Sequence, residues 1–354
     1  MILFNNDYSE GALPEILERL SLTNWEQTPG YSEDIYCKKA AELLRQACQC
    51  PQAAVHFLVG GTQTNLTFIS AALRPHQCAV TVTSGHINVH ETGAIEATGH
   101  KVMALPSQNG KITAAQVQKV YDEHYHDETH EHIAQPKLVY ISQPTELGTL
   151  YCKEELQAIA DVCHHNGLLL YLDGARLGYA LAASDNDVTL ADIARCCDAF
   201  YIGGTKVGAL FGEALLIVNP TLQQDFRYLL KQRGGMLAKG RLLGLQFETL
   251  FRNGLYQKAG AHGIAMAMLL KQGLLQLGIP LFIDSSTNQQ YPILPDQVLA
   301  ELAKNYGYSY WQRVDESHSA VRFCTCWATK EENVRQLLAD LAHLQEKSQI
   351  PTAV

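Results

Sequence analysis

Short apolar runs alternate with stretches of helical period from Ala53 to Val218. The runs are Ala53-Ala54-Val55-His56-Phe57-Leu58-Val59, Ala79-Val80-Thr81-Val82, Lys101-Val102-Met103-Ala104-Leu105, Lys137-Leu138-Val139-Tyr140-Ile141, Leu168-Leu169-Leu170-Tyr171-Leu172, Ala199-Phe200-Tyr201-Ile202 and Ala214-Leu215-Leu216-Ile217-Val218. Helical patterns start after Gly60-Gly61-Thr62, at His90, at Thr113 and at Lys153. Strands that alternate with helices predict an α/β fold, a mostly parallel sheet with helices on both faces. Ligands in such sheets gather at the carboxyl ends of the strands.

The flanks read differently. Phe4 to Tyr36 carries polar clusters and one short helical stretch, Pro14 to Leu22, and predicts an N-terminal arm over 1–37. A large domain covers 38–240. Past Gly240 come long helical patterns, Leu242 to Leu255 and Ala259 to Leu277, then short strands and a last helix from Glu331, which predicts a smaller α+β C-terminal domain over 241–354.

Composition narrows the partners. A net charge of -9 argues against a basic surface for nucleic acid or an anionic membrane. No apolar run approaches the length that crosses a bilayer, and Met1 to Gly11 lacks the charged and apolar regions of a signal peptide, so a cytoplasmic protein is expected. The ten cysteines form no Cys-x-x-Cys pair and read as buried thiols. Four histidines, His124, His126, His130 and His132, lie among acids; a metal tract is one reading and a solvated helix end the expected one, so no metal is assigned.

Chemistry collects where the apolar runs end. Gly60-Gly61-Thr62 stands between a strand and a helix, where backbone N–H groups and the helix's positive end can hold a phosphate; a tight turn is the alternative. Ser84-Gly85-His86 puts an imidazole after the second run, able to stack on a ring, relay protons, pair with His90 on a metal, or serve structure alone. Leu172-Asp173-Gly174-Ala175-Arg176 follows the most apolar run: a pyridinium nitrogen needs such a carboxylate to keep its proton, and an Asp173–Arg176 helix-capping pair is the alternative. Gly203-Gly204-Thr205-Lys206 sets a lysine between two buried strands, where desolvation lowers an amine's pKa toward that of a Schiff-base nucleophile; a solvated loop lysine is the alternative.

One cofactor asks for all four parts together: pyridoxal 5'-phosphate. Gly-x-Gly-x-x-Gly, Walker-type Gly-Lys-Ser/Thr and Gly-x-Ser-x-Gly patterns are absent, which lowers the competing α/β readings.

With Leu172-Asp173-Gly174-Ala175-Arg176-Leu177 and Thr205-Lys206 in this order, the chain from about Phe4 to Cys326 resembles the threonine aldolase family, within the β-eliminating lyases of the aspartate-aminotransferase-like (type I) pyridoxal-phosphate fold. The resemblance implies that Lys206 forms the Schiff base, that Gly61, Thr62 and Thr205 contact the phosphate, that His86 stacks on the pyridine ring and that Asp173 pairs with its nitrogen. It implies that Arg176 and Arg322 hold the carboxylate of an amino-acid substrate. Asn6-Asp7 matches the family's Ser-Asp, so Asn6 is placed at the same carboxylate, and Tyr31 matches a tyrosine of the arm near a subunit interface. His132 falls near a second substrate-facing histidine.

Where relatives carry Gly-Gly-Gly-Met-Arg-Gln with a phosphate-binding arginine, this chain reads Arg233-Gly234-Gly235-Met236-Leu237-Ala238, leaving Lys231, Arg233 or Lys239 to substitute. The resemblance implies cleavage of a β-hydroxy-α-amino acid, threonine or allo-threonine, to glycine and an aldehyde, with His86 as a candidate base, in a homodimer or homotetramer. β-Elimination or transamination on the same scaffold is the second reading, and a cofactor-free binding protein or an oxidoreductase the third.

Overall fold

The apolar runs form one seven-stranded sheet in the computed structural model, which describes residues 1–349. In spatial order its strands are Ala54–Leu58, Glu213–Ile217, Ala199–Gly203, Leu169–Asp173, Gln135–Ser142, Gln77–Val82 and Lys101–Leu105. Glu213–Ile217 runs antiparallel to both of its neighbours, and the remaining pairs are parallel. The strands at the centre are buried at every position because helices cover both faces, hence continuous apolar runs rather than alternation.

Successive side chains still point to opposite faces. Leu170, Leu172, Phe200 and Ile202 enter a core shared with the helices Ile35–Ala47, Lys153–His165 and Arg241–Arg252. Leu169, Tyr171, Tyr201 and Leu215 enter a second core with Phe68 and Ile69 of the helix Gly61–Ala72. The tyrosines of that second face place hydroxyls beside the strand ends.

A third core lies in the small domain, where Met266, Leu270 and Leu274 pack with Leu294, Val321, Phe323 and Leu337. The helix Leu255–Gln276 serves two cores, since its Tyr256, Ala259 and Ile264 belong to the first and its later residues to the third. Leu243, Phe247 and Leu250, which follow the pattern change at Gly240, also lie in the first core.

The first residues are strapped to the small domain. Ile2–Leu3 pairs in parallel with Tyr306–Gly307, Phe4 is buried against Tyr306 and Phe323, and Cys324 N–H donates to the Phe4 carbonyl at 2.7 Å. Beyond them the helix Pro14–Leu22 meets Arg241–Arg252 through an Arg19–Glu248 pair at 3.0 Å. Residues 5–9 thereby cross from one domain to the other.

The helix expected from His90 forms earlier, as a single turn, His86–Val89. Thr92 and Gly93 take positive φ, 53° and 68°, which ends any helix there. The turn folds Glu91 back toward His86.

Candidate active site

Asp173 ends the central strand and is 4 % exposed. Its Oδ1 accepts from the Ala175 N–H at 2.9 Å and the Tyr201 hydroxyl at 2.6 Å, and its Oδ2 from the Tyr140 hydroxyl at 2.6 Å and the Asn65 amide at 3.1 Å. Burial alone would raise this carboxyl; His86 and the Tyr140, Tyr201 and Ala175 donors outweigh it and hold the pKa below the ordinary value. The Asp173–Arg176 pair open to the sequence does not form among the ion pairs of the described residues, because Arg176 turns to another acid.

His86 opens the short helix after the strand Gln77–Val82, and its Nδ1 lies 2.7 Å from Glu91 Oε1. The same Glu91 oxygen accepts from the Asn65 amide at 2.7 Å, so His86, Glu91, Asn65 and Asp173 form one chain of hydrogen bonds. A buried carboxylate on Nδ1 makes that nitrogen the donor and fixes the orientation of the ring. His90 lies one turn on, its ring centroid 5.5 Å from that of His86. Desolvation, then His86 and the Arg322, Arg176 and Lys206 charges, lower the His90 pKa.

Lys206 stands in a tightly tied loop. Gly204 and Thr205 N–H donate to the Gly212 carbonyl at 3.0 and 3.1 Å, and the Tyr179 hydroxyl donates to the Lys206 carbonyl at 2.5 Å. A Cβ at Gly204 would lie 2.8 Å from the Gly212 carbonyl oxygen, so this position admits glycine alone. Burial, then the Arg176 guanidinium, lowers the Lys206 pKa against the opposing pull of Asp7, Asp173 and Glu213. An amine so placed loses its proton readily and becomes a nucleophile.

Thr205, expected at a phosphate, has its hydroxyl engaged within the loop. It donates to Glu213 Oε1 at 2.8 Å and accepts from the Gly212 N–H at 3.0 Å. Glu213 is buried, and desolvation pushes its carboxyl up to about 8 although Lys206, Thr205 and Gly204 pull the other way.

Lys206, His86 and His90 line a cavity of about 570 Å³ with Arg176, Arg322 and Glu146; Tyr8, Tyr310 and Trp311 supply aromatic walls. Arg176 is held by Asp7, Nε to Oδ2 at 2.6 Å and Nη2 to Oδ1 at 3.1 Å. Asp7 is fully buried; Arg176, Lys206 and Asn288 overcome its desolvation and lower its pKa. Arg322, from the strand His318–Cys324, reaches Gln289 at 3.2 Å and the Asn5 carbonyl at 3.3 Å, and its buried Nε has no partner among the described residues.

Asn6 does not face this cavity. Its Oδ1 accepts from the Tyr8 N–H at 3.0 Å and the Ser9 hydroxyl at 2.9 Å, closing a local turn. That turn directs Asp7 inward instead. His132 is exposed and absent from the cavity lining, and among the described residues no three His, Cys, Asp or Glu side chains gather in a metal-ligating group.

The helix Gly61–Ala72 begins at Gly60 without a side-chain cap, so its first N–H groups are left for a ligand. A Cβ at Gly60 would meet nothing within 4 Å, while one at Gly61 would lie 3.0 Å from the Tyr201 hydroxyl that holds Asp173. Thr62 is exposed in the first turn. Of the three candidate basic residues, Arg233 is tied to this helix, since its carbonyl accepts from Gln63 at 3.3 Å, and its buried Nε has no partner among the described residues. Lys231 lies over Tyr31, 4.4 Å from the ring centroid, in an open surface cavity with Arg227, Tyr228 and Met236; Lys239 is exposed.

The donor set fits pyridoxal phosphate: an uncapped helix start with an unpaired guanidinium nitrogen, a buried carboxylate held ionised, and a lysine lowered by burial. Sequence reasoning missed Glu91, Asn65, Tyr140, Tyr201 and Glu146, and saw His90 only as a metal partner. Glu146 carried a readable signal, an acid just past an apolar run, which is the rule that picked out Asp173.

Residues 13–307 match the family model described as beta-eliminating lyase. A solved structure titled as a Leishmania major threonine aldolase is 46 % identical, covers 97 % of this chain and 99 % of its own, and superposes with a TM-score of 0.94. The low specificity L-threonine aldolase of Pseudomonas sp. (strain NCIMB 10558) is 29 % identical over 345 residues, 96 % of each chain. Aspartate aminotransferase from Thermus thermophilus, 15 % identical with a TM-score of 0.72 over 97 % of this chain and 91 % of its own, shares the fold.

Proposed function

The chain belongs to the β-eliminating lyase family, and on that premise we propose that it is a pyridoxal-phosphate-dependent aldolase that cleaves a β-hydroxy-α-amino acid of the threonine type to glycine and an aldehyde. The observation that carries this reading is the single cavity joining the lowered amine of Lys206 to two guanidiniums and to a carboxylate-held histidine. Pyridoxal phosphate, when bound, supplies a delocalised acceptor for the electrons of the Cα–Cβ bond.

Each protein group has a defined task. Lys206 is the amine that links to the cofactor's aldehyde. Asp173, kept ionised by its donors, holds the proton on the ring nitrogen, and the Glu91 hydrogen bond sets the plane of His86 for stacking. The first-turn N–H groups at Gly61 and Thr62, with Arg233, hold the phosphate, while Thr205 braces the Lys206 loop through Glu213. Arg176 and Arg322 take the substrate carboxylate, and Asp7 orients Arg176. Fixing the carboxylate from two sides orients the Cα–Cβ bond, and orientation selects which bond at Cα breaks.

A homodimer or a dimer of dimers is part of the proposal, supported by the exposed Tyr31, Tyr228 and Lys231 surface beside the helix start. A cytoplasmic location is supported by ten free cysteines and, among the described residues, by the lack of any helix long and apolar enough to cross a membrane.

Glycine and aldehyde formation from a panel of β-hydroxy amino acids tests the activity. Glycine without pyruvate or ammonia is the expected result; pyruvate from serine would transfer the site to β-elimination. The visible absorbance of a lysine-linked cofactor should develop on adding pyridoxal phosphate and vanish in Lys206→Ala. Protein that never gains this absorbance overturns the reading.

A further inference from the structure

Glu146 is the one acid among the described residues that line the cavity of Lys206, Arg176 and Arg322. It is 8 % exposed and lies in the loop after the strand Gln135–Ser142. The loop is rigidly tied: Thr145 N–H donates to the Thr149 carbonyl at 2.9 Å, Gly148 N–H to the Thr145 carbonyl at 2.9 Å, and the Tyr291 hydroxyl to the Glu146 carbonyl at 2.5 Å. The Ser142 hydroxyl, at 2.7 Å, and the His86 N–H, at 3.0 Å, both donate to Oε1 of the carboxyl, and Oε2 receives neither.

The other acids near the cavity are committed. Asp7 is locked on Arg176, Asp173 accepts four donors, Glu91 takes His86 and Asn65 on one oxygen, and Glu213 takes the Thr205 hydroxyl and the Gly204 N–H. His86 has its Nδ1 on Glu91 and, in the proposed function, its ring face on the cofactor. Glu146 alone combines a place in the cavity wall with a fixed carboxyl.

Its surroundings favour proton exchange. Burial raises the Glu146 pKa; Ser142, His86 and its own N–H oppose the rise, and Asp173 adds to it. The charged groups facing the same space are Lys206, Arg176 and Arg322, with His86 and His90 beside them; behind the loop lie Glu91, through His86, and the hydroxyls of Tyr140, Tyr151 and Tyr291. A carboxylate made more basic than usual is a better acceptor for a hydroxyl proton.

Resting on the aldolase reading, we infer that Glu146 is the catalytic base that takes the proton of the substrate's β-hydroxyl. The O–H bond breaks, its electron pair becomes the second bond of the aldehyde C=O, and the proton passes to the Glu146 carboxylate. The Cα–Cβ pair stays with the glycine carbon and is quenched there by one proton. One proton leaves oxygen and one arrives at carbon, so no further reactant is required.

Glu146→Gln keeps the shape and an oxygen for Ser142 and His86 but cannot accept a proton. The expected result is unchanged cofactor absorbance, deuterium exchange at glycine Cα in heavy water within about twofold of wild type, and kcat for cleavage lower by about 10²–10⁴. The limb of kcat/KM that rises with pH should disappear, because in wild type it reports ionisation of this carboxyl. Ser142→Ala removes a donor that lowers the Glu146 pKa and should move that limb upward. Wild-type kcat and an intact limb in Glu146→Gln overturn the inference, as does a parallel loss of glycine exchange. Wild-type enzyme that binds the cofactor yet yields no glycine from any β-hydroxy amino acid sinks the aldolase reading itself.

Discussion

Arg176 and Arg322 line one cavity from two domains and are held in opposite ways. Arg176, just past the central strand, gives two N–H groups to Asp7, and the pair is almost wholly out of water, with side chains 12 % and 0 % exposed. Arg322, on a small-domain strand, makes two longer bonds to neutral oxygens and leaves a buried Nε without a partner among the described residues. A buried counter-ion fixes one guanidinium before any ligand arrives; the other keeps donor capacity in reserve. Preorganisation and spare donor capacity thus come from different parts of the chain, and in the proposed function the substrate carboxylate takes up the second.

The comparison breaks most visibly at Arg176. Arg176→Ala strands the buried Asp7 charge, and the fold should lose about 3–5 kcal/mol in a urea titration, with cleavage abolished. Arg322→Ala leaves no buried charge behind. Its unfolding free energy should stay within about 1 kcal/mol of wild type while KM rises about 10–100-fold, the loss of one charge-assisted carboxylate pair. Equal stability losses in the two variants would erase the distinction.

The same contrast separates two acids near Lys206. Asp7, beside a guanidinium, is lowered; Glu213, with no guanidinium hydrogen-bonded to it, is raised from 4.5 to about 8 by burial. In the folded state Glu213 keeps a proton that the unfolded chain has lost, so its contribution to stability is full below pH 4.5 and drains away as pH climbs to about 8. In cofactor-free protein, the melting temperature of Glu213→Gln should gain on that of wild type across that interval and run parallel above it. Two parallel curves throughout would mean that Glu213 is ionised in the fold.

Weaker effects sharpen the picture. Arg233→Ala should loosen pyridoxal phosphate about tenfold in an equilibrium titration, with little change in melting temperature of the cofactor-free protein, because its Nε has no partner among the described residues. Asn6→Ala should leave KM unchanged and cost only about 0.5–1 kcal/mol, since its Oδ1 serves a turn.

Much of this site is legible along the chain because it follows one rule. His86, Asp173 and Lys206 each stand just after an apolar run, where a parallel sheet presents its strand ends. Glu146 obeys the same rule, but a single acid in a turn carries no motif. Asn65, Glu91 and the tyrosines were invisible for a different reason. Tyr140, Tyr171 and Tyr201 read as ordinary strand apolar residues, and only the register that sets neighbouring strands side by side aims two of their hydroxyls at Asp173. The Thr205 and Asn6 expectations concern side chains with several polar partners in reach, and local loop geometry chose Glu213 for one and the Tyr8 turn for the other.

By itself, the sequence determined the elements, their order along the chain, and which residue types stand at the strand ends, because period and punctuation are local properties of a chain. Only the tertiary structure decided which of those residues share a space and in what ionic state. Asp7 and Arg176 are 169 positions apart and Glu91 and Asp173 meet through Asn65, pairings that depend on packing across domains and strands. The lowered lysine and the raised Glu146 and Glu213 follow from desolvation by neighbours distant in sequence, a cause that no local pattern of residues records.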